Sequence, residues 1–368
     1  MTDAASSASL WKAAWRRLCA DKISMASLFV VLAFLVLLLL SAFGFVAADW
    51  SDEVGAHYAP PSFIGQTASA GATVSPALVP PQNPRDPLRD VIQAFRERKA
   101  DAAGKSDATN VAEVADPLAD EIAVIRSRLT MPGDRAGAAR KPTLPFGADK
   151  WGHDIVKKTI KGAETSILVG LTASFLATFL GTLMGACAGY WGGRTDDALN
   201  WFYNIFTSIP YLLLILAVAA VLQKKGVITI VLILGLTGWT GVFRLVRAEY
   251  IRHKEREYVM AASAIGASHL RRMFSHIFPN ISHIPLVQMS ILSVGFIKSE
   301  VILSFLGFGV PVGVVSWGSM LNEAQNELIL GKWWQLVSAT AAMAVLVTAF
   351  SLFTDGLRDA LDPRLRQG

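Results

Sequence analysis

Residues 27–48 read SLFVVLAFLVLLLLSAFGFVAA and carry no charged side chain. A helix needs about 20 mostly apolar residues to cross the hydrocarbon core of a bilayer, so this stretch predicts a membrane span, which we place at 25–48. A cleavable signal sequence is the alternative, because Ala47 and Ala48 resemble a cleavage site. The apolar core of such a signal runs about 7–15 residues, which is shorter than this stretch. We therefore interpret the stretch as a membrane anchor.

Five further apolar blocks follow the first one. The chain is 52% hydrophobic and only 17% charged, with a mean hydropathy of +0.42, which is high for a water-soluble protein. Each block approaches or reaches the length that spans a bilayer. The sequence thus predicts an all-α membrane protein with six transmembrane helices, the last five within 164–354. The blocks lie at 165–190, 199–222, 226–243, 281–308 and 333–353.

The distribution of Lys and Arg predicts the orientation, because short cytoplasmic segments are enriched in them. The tail 1–24 holds four, the segment 247–272 holds six against three Glu, and the tail 355–368 holds three. With six spans, all of these segments fall on one side. One short outside loop, between spans three and four, disagrees because it holds Lys224 and Lys225, but two residues do not outweigh the rest. Both termini are therefore expected in the cytoplasm. The basic residues are Lys12, Arg16, Arg17, Lys22, Arg247, Arg252, Lys254, Arg256, Arg271, Arg272, Arg358, Arg364 and Arg366.

Residues 49–163 then form an extracytoplasmic insertion between the first two spans. It opens with sequence rich in Pro, Ala and Gly and without periodicity. Two similar segments follow, RDPLRDVIQAFRERK at 85–99 and ADPLADEIAVIRSRL at 115–129. Each begins with an N-cap Asp and a Pro at the first helical position, which predicts two short amphipathic helices. Either they form a small cap on the membrane domain, which we favour, or they form a docking surface for a soluble partner.

Motifs for chemistry are missing from the sequence. Gly104-Lys105-Ser106 resembles the end of a phosphate loop, but Lys99 stands where that motif needs a glycine. The two cysteines, Cys19 and Cys187, are too far apart in the predicted topology to form a disulfide, and no metal-ligand spacing or nucleophile motif is present. The net charge of +5 lies beside the spans, so topology explains it without a nucleic-acid partner. We expect a chain that is not an enzyme and holds no cofactor.

Residues 257–280 read EYVMAASAIGASHLRRMFSHIFPN and separate the fourth and fifth spans. Small side chains such as Ala261 and Ala262 allow close approach to a partner, and Gly266 suits a turn. Pro279 fits near the start of the next span, where its missing N–H costs least. The pattern predicts a helix–turn–helix on the cytoplasmic face. From these residues alone, an ordinary amphipathic connector remains the alternative.

This stretch resembles the EAA loop of ABC importer permeases, in the form typical of the dipeptide, oligopeptide and nickel branch. Ala261, Ala262, Gly266 and Pro279 match that pattern in register, whereas Met260, His276 and Phe278 replace its Glu, Ile and Leu. The resemblance implies an ATPase-coupling loop over 248–279. Its residues in this chain are Glu257, Tyr258, Ala261, Ala262, Gly266, Ala267, Ser268, Arg271 and Pro279.

Other segments are similar to the same branch, over 144–366 and the first span. They are LPFGADKWGHDIVKKTIKGAETSILVGL (144–171), GYWGGRTDDAL (189–199), SIPYLLL (208–214), SEVILSFLGFG (299–309), SWGSMLNEA (316–324) and DGLRDALDPR (355–364). Ala148, His153 and Glu164 depart from that pattern, which has Thr, Arg and Arg there. The long insertion resembles permeases linked with larger peptides and microcin-like substrates.

The resemblance implies the type I ABC importer permease fold and a set of partners. A second, related permease subunit would complete a heterodimer in the bacterial inner membrane. Two ATPase subunits, which bind ATP and Mg²⁺, would receive the coupling loop in a cleft at the cytoplasmic face. A periplasmic binding protein would deliver a peptide substrate, and lipid would surround the spans. This chain would then supply half of the pathway.

Four residues are candidates for the pathway or a subunit interface. Lys298 and Glu300 lie inside a predicted span, where charges usually face a bundle interior or water. Their spacing of two residues points the side chains apart on a helix, so we expect a structural or interface role rather than mutual pairing. Trp317 and Glu323 belong to 305–325, which we expect to be a re-entrant outside loop that helps to receive substrate.

Two other classes of protein remain as alternatives. An ion-driven secondary transporter would carry ionisable residues in the middle of several spans and often an inverted repeat. The apolar cores of spans two to four have no charged residue, and we find no repeat. A membrane-anchored enzyme or assembly factor would need a working domain in 50–143, but that segment is polar and lacks a catalytic constellation.

Overall fold

The computed structural model describes residues 15–65, 140–311 and 313–361. The two helices predicted at 85–99 and 115–129 lie outside these ranges. Within them the chain is helical apart from connecting segments and three isolated bridges. The helices are α1 (Lys22–Ala42), α2 (Ile155–Trp191), α3 (Gly193–Thr207), α4 (Tyr211–Leu222), α5 (Val227–Thr237), α6 (Thr240–Lys254), α7 (Glu257–Ala264), α8 (His269–Arg271), a π-helix (Arg272–Ile277), α9 (Phe278–Ile281), α10 (His283–Phe305), α11 (Trp317–Ile329) and α12 (Trp334–Leu361).

Five of the described helical stretches are long and apolar enough to cross a membrane: α1, α2, α5 together with α6, α10 and α12. A sixth span is reached if α3 and α4 count as one, although they meet at 86°. The block at 199–222 is therefore not the single helix that the sequence predicts. Pro210 precedes α4 and has no N–H to continue the hydrogen-bond ladder, so the chain bends there.

Two further boundaries differ from the predicted ones. Helix α2 begins at Ile155 rather than near 164, because the Asp154 carboxylate accepts a hydrogen bond from the Val156 amide at 2.8 Å and caps the helix. The segment predicted as a re-entrant loop over 305–325 contains α11, which extends to Ile329. A capping box between Ser316 and Ser319 starts α11.

Helix α2 is the centre of the bundle, and its second half packs closely against α6. A Cβ on Gly185 or Gly189 would lie 2.5–2.8 Å from a backbone oxygen of α6, and one on Gly181 would lie 2.6 Å from the carbonyl of Trp239, which immediately precedes α6. The three glycines recur every four residues and therefore form one face. Their lack of a side chain lets the two helix backbones approach each other.

The start of α2 lies against the segments 49–65 and 140–154. Parallel bridges pair Gly55 with Lys141 and Pro61 with Leu144. The aromatic ring of Trp334, at the start of α12, donates through Nε1 to the Ala148 carbonyl at 2.8 Å. These contacts tie the described ends of the long insertion to the bundle. We call the end of the molecule that holds these segments and α11 the α11 end. The opposite end, which holds α7, is the α7 end.

Candidate functional site

At the α7 end, residues 255–282 form the helix–turn–helix that the sequence predicts. Helix α7 stops at Ala264, and Gly266 follows with a φ of 84°, a left-handed conformation that favours glycine. The Ser268 hydroxyl then accepts a hydrogen bond from the Arg271 amide at 3.4 Å and caps α8. After the π-helix, Pro279 lies in the first turn of α9. Two short helices thus project from the ends of two spans.

A buried base holds this loop to the bundle. Val259 of α7 and Met273 and Ile277 of the π-helix are buried against the ends of α2 and α6, and Ala262 of α7 is also buried. The Tyr250 hydroxyl donates to the Met273 carbonyl at 3.2 Å. Ala262 therefore lies on the buried side of α7 and does not face outward. Movement of the loop must move the ends of α2 and α6 with it.

Polar contacts tie the loop to the end of α2 as well. The Arg272 guanidinium donates to the Ser263 hydroxyl at 2.8 Å and lies 3.0 Å from Nδ1 of His269. The same His269 nitrogen lies 3.0 Å from the hydroxyl of Tyr190, which belongs to α2. The Arg272 guanidinium also lies over the Tyr190 ring. Tyr258 of α7 pairs through its hydroxyl with Nδ1 of His253 at 2.8 Å. The loop is a rigid extension of the bundle.

The outer surface of the loop is apolar. Met260, Ile265 and Leu270 are exposed there, with Ile265 exposed at 85% and Leu270 at 60%. Phe274 is also exposed but lines an apolar cavity with Phe175 and Phe179 of α2. These side chains were not among the predicted site residues, although large apolar residues interrupting a polar connector are the signal that marks them. Large exposed apolar residues grouped on one surface mark an interaction site. Of the predicted loop residues, Glu257, Ala261, Gly266, Ser268, Arg271 and Pro279 are exposed, and Tyr258 and Ala267 are half-buried.

Lys298 and Glu300 point in opposite directions on α10, as their spacing predicts. Glu300 is fully buried, and the hydroxyls of Ser166 and Ser304 each donate to its carboxylate at 2.6 Å. Glu300 therefore joins α10 to α2 and has a structural position. Lys298 is exposed on the outside of the described bundle.

At the α11 end, Trp317 and Glu323 take part in a buried network that centres on Lys158. The Lys158 ammonium donates to Asp149 Oδ2 and to Glu323 Oε2, both at 2.6 Å, and lies 3.4 Å from Gln335 Oε1. This single side chain of α2 therefore joins the 140–154 segment, α11 and α12. Trp317 is buried beside it and donates through Nε1 to the Thr159 carbonyl at 3.1 Å.

The sequence-based interpretation missed Lys158 and Asp149. Burial opposes the charged form of Asp149, but the hydrogen bond from His153 and the charge of Lys158 hold the pKa of this carboxyl well below its usual range. Helical spacing could have identified Lys158, because it follows Ile155 by three residues and precedes Gly162 by four on a buried face. His153 and Glu164, which depart from the permease pattern, form polar contacts here with Asp149 and with Ser41.

Comparison with known proteins identifies the class of this chain. A family model described as a binding-protein-dependent transport system inner membrane component matches residues 177–367, which is more than half of the chain. A second model, the N-terminal TM domain of oligopeptide transport permease C, matches residues 9–61. The chain belongs to the family of binding-protein-dependent transport system inner membrane components. It is a multi-pass permease subunit of an ABC importer, in which the ATPase is a separate subunit.

Individual relatives agree with this assignment. The chain is 35% identical over 222 residues to the dipeptide transport system permease protein of Bacillus subtilis, covering 60% of this chain and 69% of that one. It is 37% identical over 222 residues to the oligopeptide transport system permease protein of the same organism, covering 60% and 72%. It is 35% identical over 219 residues to the peptidoglycan transport system permease protein of Agrobacterium fabrum, covering 60% and 57%.

Proposed function

We propose that this chain forms half of a peptide pathway and couples it to ATP hydrolysis through the loop at residues 255–282. The observation that carries the proposal is an exposed apolar surface on a rigid base. Ile265 and Leu270 are exposed, while Val259 and Met273 beneath them are buried against the spans. An ATPase subunit that binds ATP and Mg²⁺ would cover this surface and push on the spans directly. The names of the relatives support peptides as the substrate.

The orientation follows from the same assignment. We place the α7 end and both termini in the cytoplasm of a bacterium, with the chain in its inner membrane. Arg252, His253 and Lys254 in the last turn of α6 support this placement, because basic residues favour the cytoplasmic side. The α11 end then faces the periplasm, where a binding protein delivers the peptide. The 140–154 segment and the exposed end of α11 would receive it.

A second permease subunit is the proposed neighbour of α10. Ile291, Lys298, Ile302 and Phe305 recur at helical spacing and are all exposed on one face of this span. A charged side chain is costly against lipid tails and usually faces protein or water. The face that carries Lys298 therefore suits a subunit interface or a water-filled pathway better than lipid. The two subunits together would enclose the peptide.

ATP supplies the bias between the inward-facing and outward-facing states. A conformational change needs an energy source with different affinity for the two states. The ATPase pair supplies it by closing on ATP and opening after hydrolysis. The loop transmits this motion to α6 and α10, because α7 and α9 continue from them with few intervening residues.

The test is copurification of ATPase subunits with two matched variants. Ile265 lies in the coupling loop and Ile329 at the other end of the molecule, and they are exposed at 85% and 82%. We expect Ile265→Ser to weaken ATPase binding roughly tenfold or more, as truncation of an interface anchor does. Ile329→Ser should leave ATPase binding unchanged.

Two results would contradict the proposal. Equal copurification of ATPase with both variants would remove the loop from the coupling interface. Purification without any ATPase, combined with uptake driven by an ion gradient alone, would favour the secondary-transporter alternative. Uptake should be measured in reconstituted vesicles with the binding protein and ATP present.

A further inference from the structure

The Lys158 ammonium has three N–H donors, and each has a nearby acceptor in this structure. Two are the Asp149 and Glu323 carboxylates at 2.6 Å, and the third is the Gln335 side-chain oxygen at 3.4 Å. Lys158 and Asp149 are buried, whereas Glu323 is exposed at 31%. Glu323 also accepts a hydrogen bond from Gln335 Nε2 at 3.2 Å, but as the more exposed carboxylate it can leave Lys158 for water at a lower cost than Asp149.

A fourth group lies beside this network without a partner. Glu327 follows Glu323 by one helical turn on α11 and is only 1% exposed. Both of its carboxylate oxygens are buried with no hydrogen-bond partner among the described residues, although the Lys150 amide faces them. Unpartnered buried carboxyls are costly when ionised. Its position is explained if it has a partner in another state of the protein.

The charged groups around Glu327 come from three sides. Lys158 of α2 favours its charged form, while Asp149 of the 140–154 segment and Glu323 of its own helix oppose it. Burial is the largest effect and raises the pKa of Glu327 to about 7. His153 interacts with Asp149, and Lys332 places its ammonium over the Trp334 ring. Lys158 is therefore the cation that stabilises Glu327.

Helix α11 is held by hydrogen bonds at its first residue, whereas its last turn is buried on one side and exposed on the other. Its first residue, Trp317, donates through the indole to the Thr159 carbonyl and through its amide to the Ser166 hydroxyl, at 3.1 and 3.2 Å. At the other end, Leu328 and Ile329 are exposed, and no described residue covers them. The exposed side therefore leaves room for a small shift of the last two turns relative to Trp317, with Ala324 and Glu327 remaining on the buried side.

We propose that Lys158 is a positioning residue that exchanges its α11 partner, from Glu323 to Glu327, and thereby holds α11 in two alternative positions. In the exchange, Glu323 turns to water and remains ionised, while Glu327 releases its proton to solvent and accepts a hydrogen bond from Lys158. In each of the two states, Lys158 forms an ion pair with one ionised carboxylate of α11. The inference rests on the proposed function only in assigning the two positions to the transport cycle.

The test is an infrared titration of the Glu327 carboxylic acid band in the purified chain, with Glu327→Gln as the subtracted reference. In the native chain we expect a midpoint near pH 7. Two substitutions that leave the net charge unchanged make an additional N–H donor at position 158 available to Glu327. Gln335→Met removes the third acceptor of Lys158 and also the Gln335 Nε2 donor that holds Glu323 at 3.2 Å, so both changes favour the exchange. Lys158→Arg supplies five donors in place of three. In both variants, and in Glu323→Gln, the midpoint should fall by one pH unit or more, a tenfold change in proton affinity.

The variants also separate the exchange from simpler effects. If Glu323→Gln alone lowers the midpoint, removal of a negative charge explains the result and the exchange is overturned. Unchanged midpoints in all three variants overturn it as well. Should Lys158→Arg fail to fold, Gln335→Met decides the outcome by itself. The titration needs no ATPase or binding protein, so its failure leaves the coupling proposal standing, whereas loss of ATPase binding is measured separately with Ile265→Ser.

Discussion

The two ends of α2 are held by different forces. At the α7 end, its glycines pack against the α6 backbone, and the neighbouring loop rests on apolar side chains such as Val259 and Met273. At the α11 end, the contacts around α2 depend on the buried charge of Lys158 and its two carboxylate partners. One end is joined by close packing and the other by an ion-paired network.

This difference between the two ends indicates which of them can adopt a second conformation. Close packing of backbones has no alternative arrangement at low cost, so the α7 end transmits motion as a rigid unit. An ion-paired network with one spare carboxylate has a second arrangement of similar chemistry. We therefore expect substitutions at the α11 end to change which state is populated, and those at the α7 end to change stability or coupling.

The largest effect should come from Lys158→Met. It leaves the buried Asp149 carboxylate without its cation, and removal of one partner of a buried ion pair costs about 3–5 kcal/mol. The neighbouring residue offers a matched control, because Lys157 pairs with Asp49 at 2.5 Å with both side chains exposed. Lys157→Met should cost less than about 1 kcal/mol.

Thermal unfolding of the two variants in detergent measures this comparison. The membrane level of Lys158→Met should also fall. Equal losses for the two lysines would mean that the buried network does not hold the α11 end. In that case the contrast between the two ends of α2 would be wrong.

The next effect is a pH dependence from Glu327. Its pKa is raised from 4.5 to about 7, so the folded protein binds this proton more tightly than the unfolded chain. Folding stability contributed by this group is therefore full below about pH 4.5 and is lost as the pH rises through 7, by about 3 kcal/mol. Glu327→Gln should abolish this component and leave the variant more stable than the native chain at pH 8.

Melting temperatures between pH 5 and 8 measure the difference. Glu249→Gln is a suitable control, because this half-buried carboxylate lies near Arg252 and His253 at the α7 end. A native chain whose stability does not fall over this range would contradict the assignment of a strained, buried carboxyl to Glu327.

The sequence predicts the spans better than the contacts between them. Hydrophobic length alone locates the spans, because the bilayer imposes the same minimum length on each. It does not locate the bend at Pro210, since a broken apolar block and a continuous one have similar composition. Pro210 itself is the signal for the break, because a proline disfavours the helical conformation of the residue before it, but hydropathy does not register it.

The candidate site divides in the same way. The helix–turn–helix at 257–280 was predictable because its glycine, serine cap and proline act within a few residues of one another. The Lys158 network was not, because Lys158 and Glu323 are separated by 165 residues of chain and only the fold brings them together. That Ala262 is buried while Ile265 is exposed likewise depends on how the bundle meets α7.

A smaller effect is expected for Gly185→Ala in the packed half of α2. The new Cβ would lie 2.8 Å from the Phe243 carbonyl oxygen, so the two helices must separate, at a cost of about 1–3 kcal/mol. Gly295→Ala is the matched control in α10, since no described atom lies within 4 Å of its Cβ. There, alanine should be neutral or stabilise the helix by up to about 1 kcal/mol.

Chemical or thermal unfolding of both variants gives the comparison. A loss for Gly185→Ala no larger than that for Gly295→Ala would mean that the α2–α6 contact is looser than this structure has it. The rigid transmission that we assign to the α7 end would then need another path.

The smallest effect on stability, and the one that sharpens the coupling proposal, is expected at Gly266. Its φ of 84° disfavours other residues, and no described atom lies within 4 Å of the Cβ position, so the cost of Gly266→Ala is backbone strain alone, about 1–2 kcal/mol. Asn tolerates this conformation better than Ala. If strain is the only effect, melting temperature and ATP-driven uptake should both fall in the order Gly, Asn, Ala. If uptake instead falls equally for Asn and Ala while stability keeps that order, a side chain at this position meets something outside this chain. Because the space around Gly266 is open here, that contact would belong to the docked ATPase, and a single glycine would then report on both the shape of the loop and the fit of its partner.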